Sequence, residues 1–85
     1  MYFMKDNEIT NSKGVIKMTV YDFMAKFGFY EQFYIFVDGK DITNDTPVYL
    51  AQIKRHECNN ENVLDALELK AIKYDIEQNI IYAER

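Results

Sequence analysis

Apolar residues fall into a fully punctuated helical period at one place, residues 18–28. Val20, Phe23, Met24 and Phe27 repeat at i, i+3, i+4 and i+7, which puts them on one face. Thr19 stands before them as an N-cap, with Asp22 in the reciprocal position of a capping box. Met18 and Phe23 have the spacing of a hydrophobic staple, and Gly28 supplies a left-handed stop. The spacing predicts a helix on which the rest of the chain packs.

Beyond it the pattern changes to alternation. Over residues 32–37, Phe33, Ile35 and Val37 take one face of a strand, and Tyr34 and Phe36 the other. Asp38-Gly39 predicts a type I′ hairpin that pairs Val37 with Lys40 and Ile35 with Ile42. Thr46-Pro47 has the form of an N-cap followed by a first-turn proline, opening a short second helix lined by Val48, Leu50, Ala51 and Ile53. An extended reading of 48–53 stays open beside it. Residues 57–62 read as a polar loop, and Val63-Leu64 as the return to the core.

At the C-terminus, Leu64, Leu67, Ala71 and Tyr74 would stripe a long helix, whereas Ile72, Tyr74 and Ile76, then Ile80 and Tyr82, alternate. A hairpin fits better, with a bulge at the Ala71-Ile72 phase change and a turn at Glu77-Gln78-Asn79. The expected fold is α+β: a small antiparallel sheet of about four strands packed on one well-capped helix, with room for a second short helix.

Residues 1–17 break from this patterning, because Lys5 through Lys13 are almost all polar. Lys13-Gly14-Val15 can be encoded as a ribosome-binding site spaced for a start at Met18. The first 17 residues therefore read either as an upstream extension or, over 15–20, as an edge strand leading into the helix. Residues 18–85 read as a single α+β domain.

Composition narrows the function classes. Fourteen acidic against ten basic residues give a formal charge of −4, which disfavours non-specific nucleic-acid binding. A chain of this size buries only about 60% of its unfolded surface, so a modest core is expected. Cys58 is the single cysteine, and no apolar run suits a membrane span or a signal-peptide core, so a cytoplasmic protein is the expectation. Seven Tyr and six Phe read first as the efficient filling of a small core, and beside that as an exposed contact surface made by several Tyr side chains.

Catalytic chemistry is hard to assemble from these residues. Ser12 is the single serine and lies in the weakly patterned N-terminus, and His56-x-Cys58 supplies two of the three or four ligands that a zinc site needs. Asp38, Asp41 and Asp45 lack the spacing of a calcium loop and suit turn chemistry. No cofactor motif is present, and none is expected. Lys54-Arg55-His56 forms a local basic cluster that Lys70 and Lys73 would extend if the C-terminal strands lay alongside.

The segments Met18-Thr19-Val20-Tyr21-Asp22-Phe23-Met24, 33–42 and 67–84 together resemble, loosely, small accessory proteins of bacterial phages and prophages. The resemblance implies a mobile-element context and a protein acting on a host system, such as an inhibitor or modulator of a defence protein like a CRISPR effector. No family site carries over from it.

The expected function is a small acidic, non-catalytic protein-binding module whose host partner is basic. Its contact candidates are Tyr30, Tyr34, Asp38, Asp41, Asp45, Glu57 and Glu61, and Asn at the three aspartates should weaken a complex and flatten its salt dependence. Two other classes stand beside it. One is a nucleic-acid binder using sheet aromatics with Lys54, Arg55, Lys70 and Lys73. The other is a self-associating domain, for which exposed sheet edges suggest a homodimer.

Overall fold

The structure is a computed structural model that describes residues 18–85. The readings made for residues 1–17 lie outside the described residues. Three short helices and four strands follow in the order α1 (Val20–Phe27), β1 (Tyr34–Val37), β2 (Lys40–Asp41), α2 (Leu50–Lys54), α3 (Glu61–Ala66), β3 (Lys70–Asp75) and β4 (Ile80–Glu84).

Helix α1 begins and ends where its punctuation places it. The Thr19 hydroxyl accepts from the Asp22 N–H at 3.1 Å, and Gly28 stops the helix at φ 103°. Two further first-turn donors, which have no partner inside a helix, are satisfied from outside. Val20 N–H donates to the Leu69 carbonyl at 2.9 Å and Tyr21 N–H to that of Leu67 at 3.1 Å. Thr19 also bridges Lys70, and the Met18 carbonyl accepts from Ala71 N–H. The helix start is thereby fastened to the chain leading into β3. Of the edge strand proposed for 15–20, the described part is this one bridge.

Both hairpins form as the turn chemistry predicts. Asp38 (φ 52°) and Gly39 (φ 84°) take the two left-handed positions of the first turn, pairing Val37 with Lys40. Ile42 N–H donates to the Ile35 carbonyl at 3.0 Å, in line with the expected register. In the second hairpin Asn79 sits at φ 56°, and Asp75 Oδ1 accepts from the Glu77 and Gln78 N–H groups. The register slips between Ala71 and Lys73, so Ile72 is the bulged residue.

The sheet is mixed rather than wholly antiparallel. Its order is β2-β1-β4-β3, and β1 runs parallel to β4, with Tyr34 beside Ile80 and Phe36 beside Tyr82. Each hairpin is antiparallel inside itself; the parallel pairing arises because the two hairpins dock through their most apolar strands, Tyr-Ile-Phe-Val and Ile-Ile-Tyr-Ala. One sheet face supplies the core. Phe33, Ile35, Val37, Ala71, Tyr74, Ile81 and Ala83 are buried there with Val20, Phe23 and Met24 of α1, Leu50 of α2, and Val63 and Ala66 of α3. Among the described residues the covering layer is therefore three helices rather than one. Rings of Phe23, Phe27, Phe33 and Tyr74 meet at its centre with centroids 5.0–5.9 Å apart.

Two segments depart from the sequence reading. Thr46-Pro47 opens no helix: Val48 exchanges two backbone hydrogen bonds with Phe33, both 2.9 Å, and α2 starts two residues later behind Tyr49. The pairing of Val48 with Phe33 draws this segment to the sheet, and that tertiary contact overrides the local first-turn chemistry. The polar loop gives way at Asn60 to α3. Asn60 Oδ1 caps the N–H groups of Asn62 and Val63, while its Nδ2 donates to the Ile42 carbonyl at 2.8 Å. Among the described residues, no helix is long and apolar enough to cross a membrane.

Candidate functional site

The second sheet face carries the site. Side chains of paired strand residues share a face, so Tyr34, Phe36, Ile80 and Tyr82 lie opposite the helix-covered side. Phe36 and Tyr82 are half-buried and stack with centroids 5.4 Å apart, and Lys73 Nζ stands 5.5 Å from the Tyr82 ring centroid. At one end of this face lies an open cleft of about 360 Å³. Tyr34, Phe36 and Ile80 line it together with Asp41, Asp45 and Gln78, and among the described residues no helix contributes to it.

The cleft owes its acidic lining to an excursion in the strand that pairs with β1. Ile42 faces Ile35 and Val48 faces Phe33, so residues 43–47 bulge out opposite Tyr34 alone. Asn44 (φ 56°) and Asp45 (φ 64°) form a second left-handed turn, closed by Thr46 N–H to the Thr43 carbonyl at 3.0 Å. The Asp41 carboxylate holds the excursion from inside. Its Oδ1 accepts from the Thr43 hydroxyl (2.5 Å) and N–H (2.8 Å), and its Oδ2 from the Asp45 N–H (3.1 Å). The buried Thr43 hydroxyl in turn accepts from Ile35 N–H at 3.4 Å, standing in for a carbonyl that the ladder lacks there.

These bonds tune the Asp41 carboxyl. Burial pushes its pKa up, but hydrogen bonds from the Thr43 hydroxyl and the N–H groups of Thr43, Asp45 and Asn44 outweigh that and hold it below the ordinary value. A carboxyl whose folded-state pKa is depressed contributes stability that is complete above its unfolded pKa, about 3.9, and is lost as pH falls through the lower folded value. The stability gap between the wild type and Asp41→Asn should therefore stay constant from about pH 5 to 7 and close below about pH 4. Urea unfolding across that range checks it, and a gap that widens on acidification would contradict the assignment.

Of the seven contact candidates, the structure brings Tyr34, Asp41 and Asp45 together. Asp38 lies at the hairpin turn, where Oδ1 accepts from Arg85 N–H at 3.4 Å, and it lines a separate cleft with Asp41, Lys40 and Arg85. Tyr30 is 73% exposed and lies against Tyr49, Glu57 pairs with Arg55 at 3.1 Å, and Glu61 sits in the first turn of α3. Because Asp41 holds the fold, replacing all three aspartates together would confound contact with stability; Asp45 is the clean position.

The basic candidates separate. Lys54 belongs to the helical layer, with Nζ 3.2 Å from the Tyr21 hydroxyl and stacked over the Tyr21 and Phe29 rings, and Arg55 beside it is ion-paired. Lys70 and Lys73 lie on β3, where they pair with Glu84 and Tyr82. Sequence reasoning missed Phe36, Ile80, Gln78 and Tyr82 as site residues. The parity shared by Tyr34, Phe36, Ile80 and Tyr82 was available, but which hairpin strands lie adjacent was not.

Among the described residues, no group of three or more His, Cys, Asp or Glu side chains is placed to hold a metal ion. No family model matches the chain, and no curated protein or solved structure matches it either.

Proposed function

We propose that the protein is a small, non-catalytic protein-binding module whose contact surface is the sheet face that none of the described helices covers. The observation that carries this reading is the alignment of Tyr34, Phe36 and Tyr82 on that face, half-buried and bordered by Asp41 and Asp45. Aromatic side chains supply large contact area at small cost in rotamer entropy, and buried aromatics dominate binding energy at interfaces. The acidic border and the net charge of −4 favour a basic partner. The resemblance to phage accessory proteins makes that partner a bacterial host protein, with a defence enzyme as the class to look for.

Affinity capture of the tagged full chain from nuclease-treated bacterial lysate tests this. A stoichiometric protein should be retained, and the double variant Phe36→Thr, Tyr82→Thr should weaken its binding by about tenfold or more, the scale of losing a central aromatic anchor. Threonine keeps the β-propensity of both positions. A partner held equally by the double variant would remove this face from the reading. Partners lost with nuclease would favour a nucleic-acid binder, and a chain that captures only itself would favour the homodimer.

A further inference from the structure

We propose that the Tyr34–Phe36–Asp45 cleft receives an arginine side chain of the partner protein; this rests on the proposed sheet face being the contact surface. The cleft is lined by the aromatic and aliphatic residues Tyr34, Phe36 and Ile80 and by the polar residues Asp41, Asp45 and Gln78. A guanidinium suits such a lining, because its plane stacks on a ring while its edge meets a carboxylate.

The same face already shows half of this arrangement with the chain's own cation. Lys73 Nζ stands 5.5 Å from the Tyr82 centroid, and Phe36 is the next ring, 5.4 Å from Tyr82. Among the described residues no lysine or arginine stacks on Tyr34 or Phe36. The neighbouring cleft that Asp38 and Asp41 line contains Lys40 and Arg85, whereas among the described residues the Tyr34 cleft contains no cation to answer its negative charge.

The two carboxylates divide the work. Asp41 spends both oxygens on the excursion and contributes charge from behind. Asp45 is exposed, and among the described residues no cation pairs with it. Its backbone is fixed by the bond from its N–H to Asp41 and by the closed turn around it, which holds the residue at the cleft that Tyr34 also lines. Preorganisation of this kind lowers the ordering cost of binding.

The test titrates the isotope-labelled full chain with acetyl-Gly-Arg-Gly-amide and, in parallel, with its citrulline counterpart, which keeps the shape and loses the charge. The arginine peptide should give saturable NMR shifts at Tyr34, Phe36, Asp45 and Gln78, with citrulline giving none. Asp45→Asn should weaken binding about fivefold, the scale of an exposed ion pair, and Tyr34→Leu about threefold, the scale of an exposed cation–π contact. Equal shifts with citrulline, or shifts as large at Glu61 and Asp65 as in the cleft, would overturn the proposal. So would nuclear Overhauser contacts from residues 1–17, or from a second copy, to the Tyr34 ring. Capture of the partner separates the two readings. If Phe36→Thr, Tyr82→Thr loses the partner while Asp45→Asn and Tyr34→Leu keep it, the arginine anchor is wrong and the surface stands. If all of them keep it, both fall.

Discussion

Replacing Phe33 with Ala should cost about 3–5 kcal/mol, the range for removing a fully buried Phe. Phe33 is completely buried, and its ring meets Phe27 at 5.4 Å and Tyr74 at 5.9 Å. Its backbone joins Val48 to β1, so collapse around the lost ring is resisted by two hydrogen bonds on the same residue. In a domain of this size each kcal/mol moves Tm by about 4–8 °C, so a drop of at least about 12 °C is expected, and outright unfolding is within range. Tyr30→Ala, at a position 73% exposed, is the control and should stay within about 0.5 kcal/mol. Thermal denaturation of both variants decides; a loss below about 1 kcal/mol for Phe33→Ala would mean that the ring cluster is not the centre of the core.

The second large effect lies at Thr43. Valine there keeps the shape and removes a hydroxyl that donates to Asp41 and accepts from Ile35 N–H. The position is 2% exposed, so water cannot replace either bond in the folded chain. An unsatisfied buried donor costs about 1–3 kcal/mol, and Thr43→Val should lose that much. Thr43→Ser keeps the hydroxyl and gives up a methyl group, worth about 0.8 kcal/mol. Urea unfolding should therefore rank the wild type above Ser and Ser above Val. Val at or above Ser would show that packing, not the hydroxyl, matters at this position.

How far the sequence spoke depended on the range of the signal. Much that is set by neighbours within four residues was legible: the Thr19 cap, the Gly28 stop, the Asp38-Gly39 turn, Asn79 in its left-handed position and the bulge at Ile72. Helix α3 was missed: residues 57–62 read as a polar loop, although Asn60 followed by Glu61 and by Val63 and Ala66 three apart is a cap with an apolar edge. Thr46-Pro47 misled because its local helix-start signal is overruled by the pairing of Val48 with Phe33, fifteen positions earlier.

The candidate site was legible only in part for the same reason. Tyr34, Asp41 and Asp45 stood out by residue type and nearness in sequence, but Ile80 and Gln78 join them through the parallel docking of two hairpins. No turn or periodicity specifies that docking. The basic residues illustrate the reverse case. Lys54 and Lys73 look alike in sequence, yet one stacks within the helical layer and the other on the open sheet.

The parallel docking also sets an order of assembly. Each hairpin closes over a short turn, whereas Tyr34 and Ile80, partners across the seam, are 46 positions apart (80 − 34). Chain-closure entropy rises with that separation, and contacts of this reach are the slow ones in small domains. The cleft straddles this seam, so neither hairpin alone contains it. A guest seated there holds the two halves of the molecule together, and its binding free energy would count toward global rather than local opening.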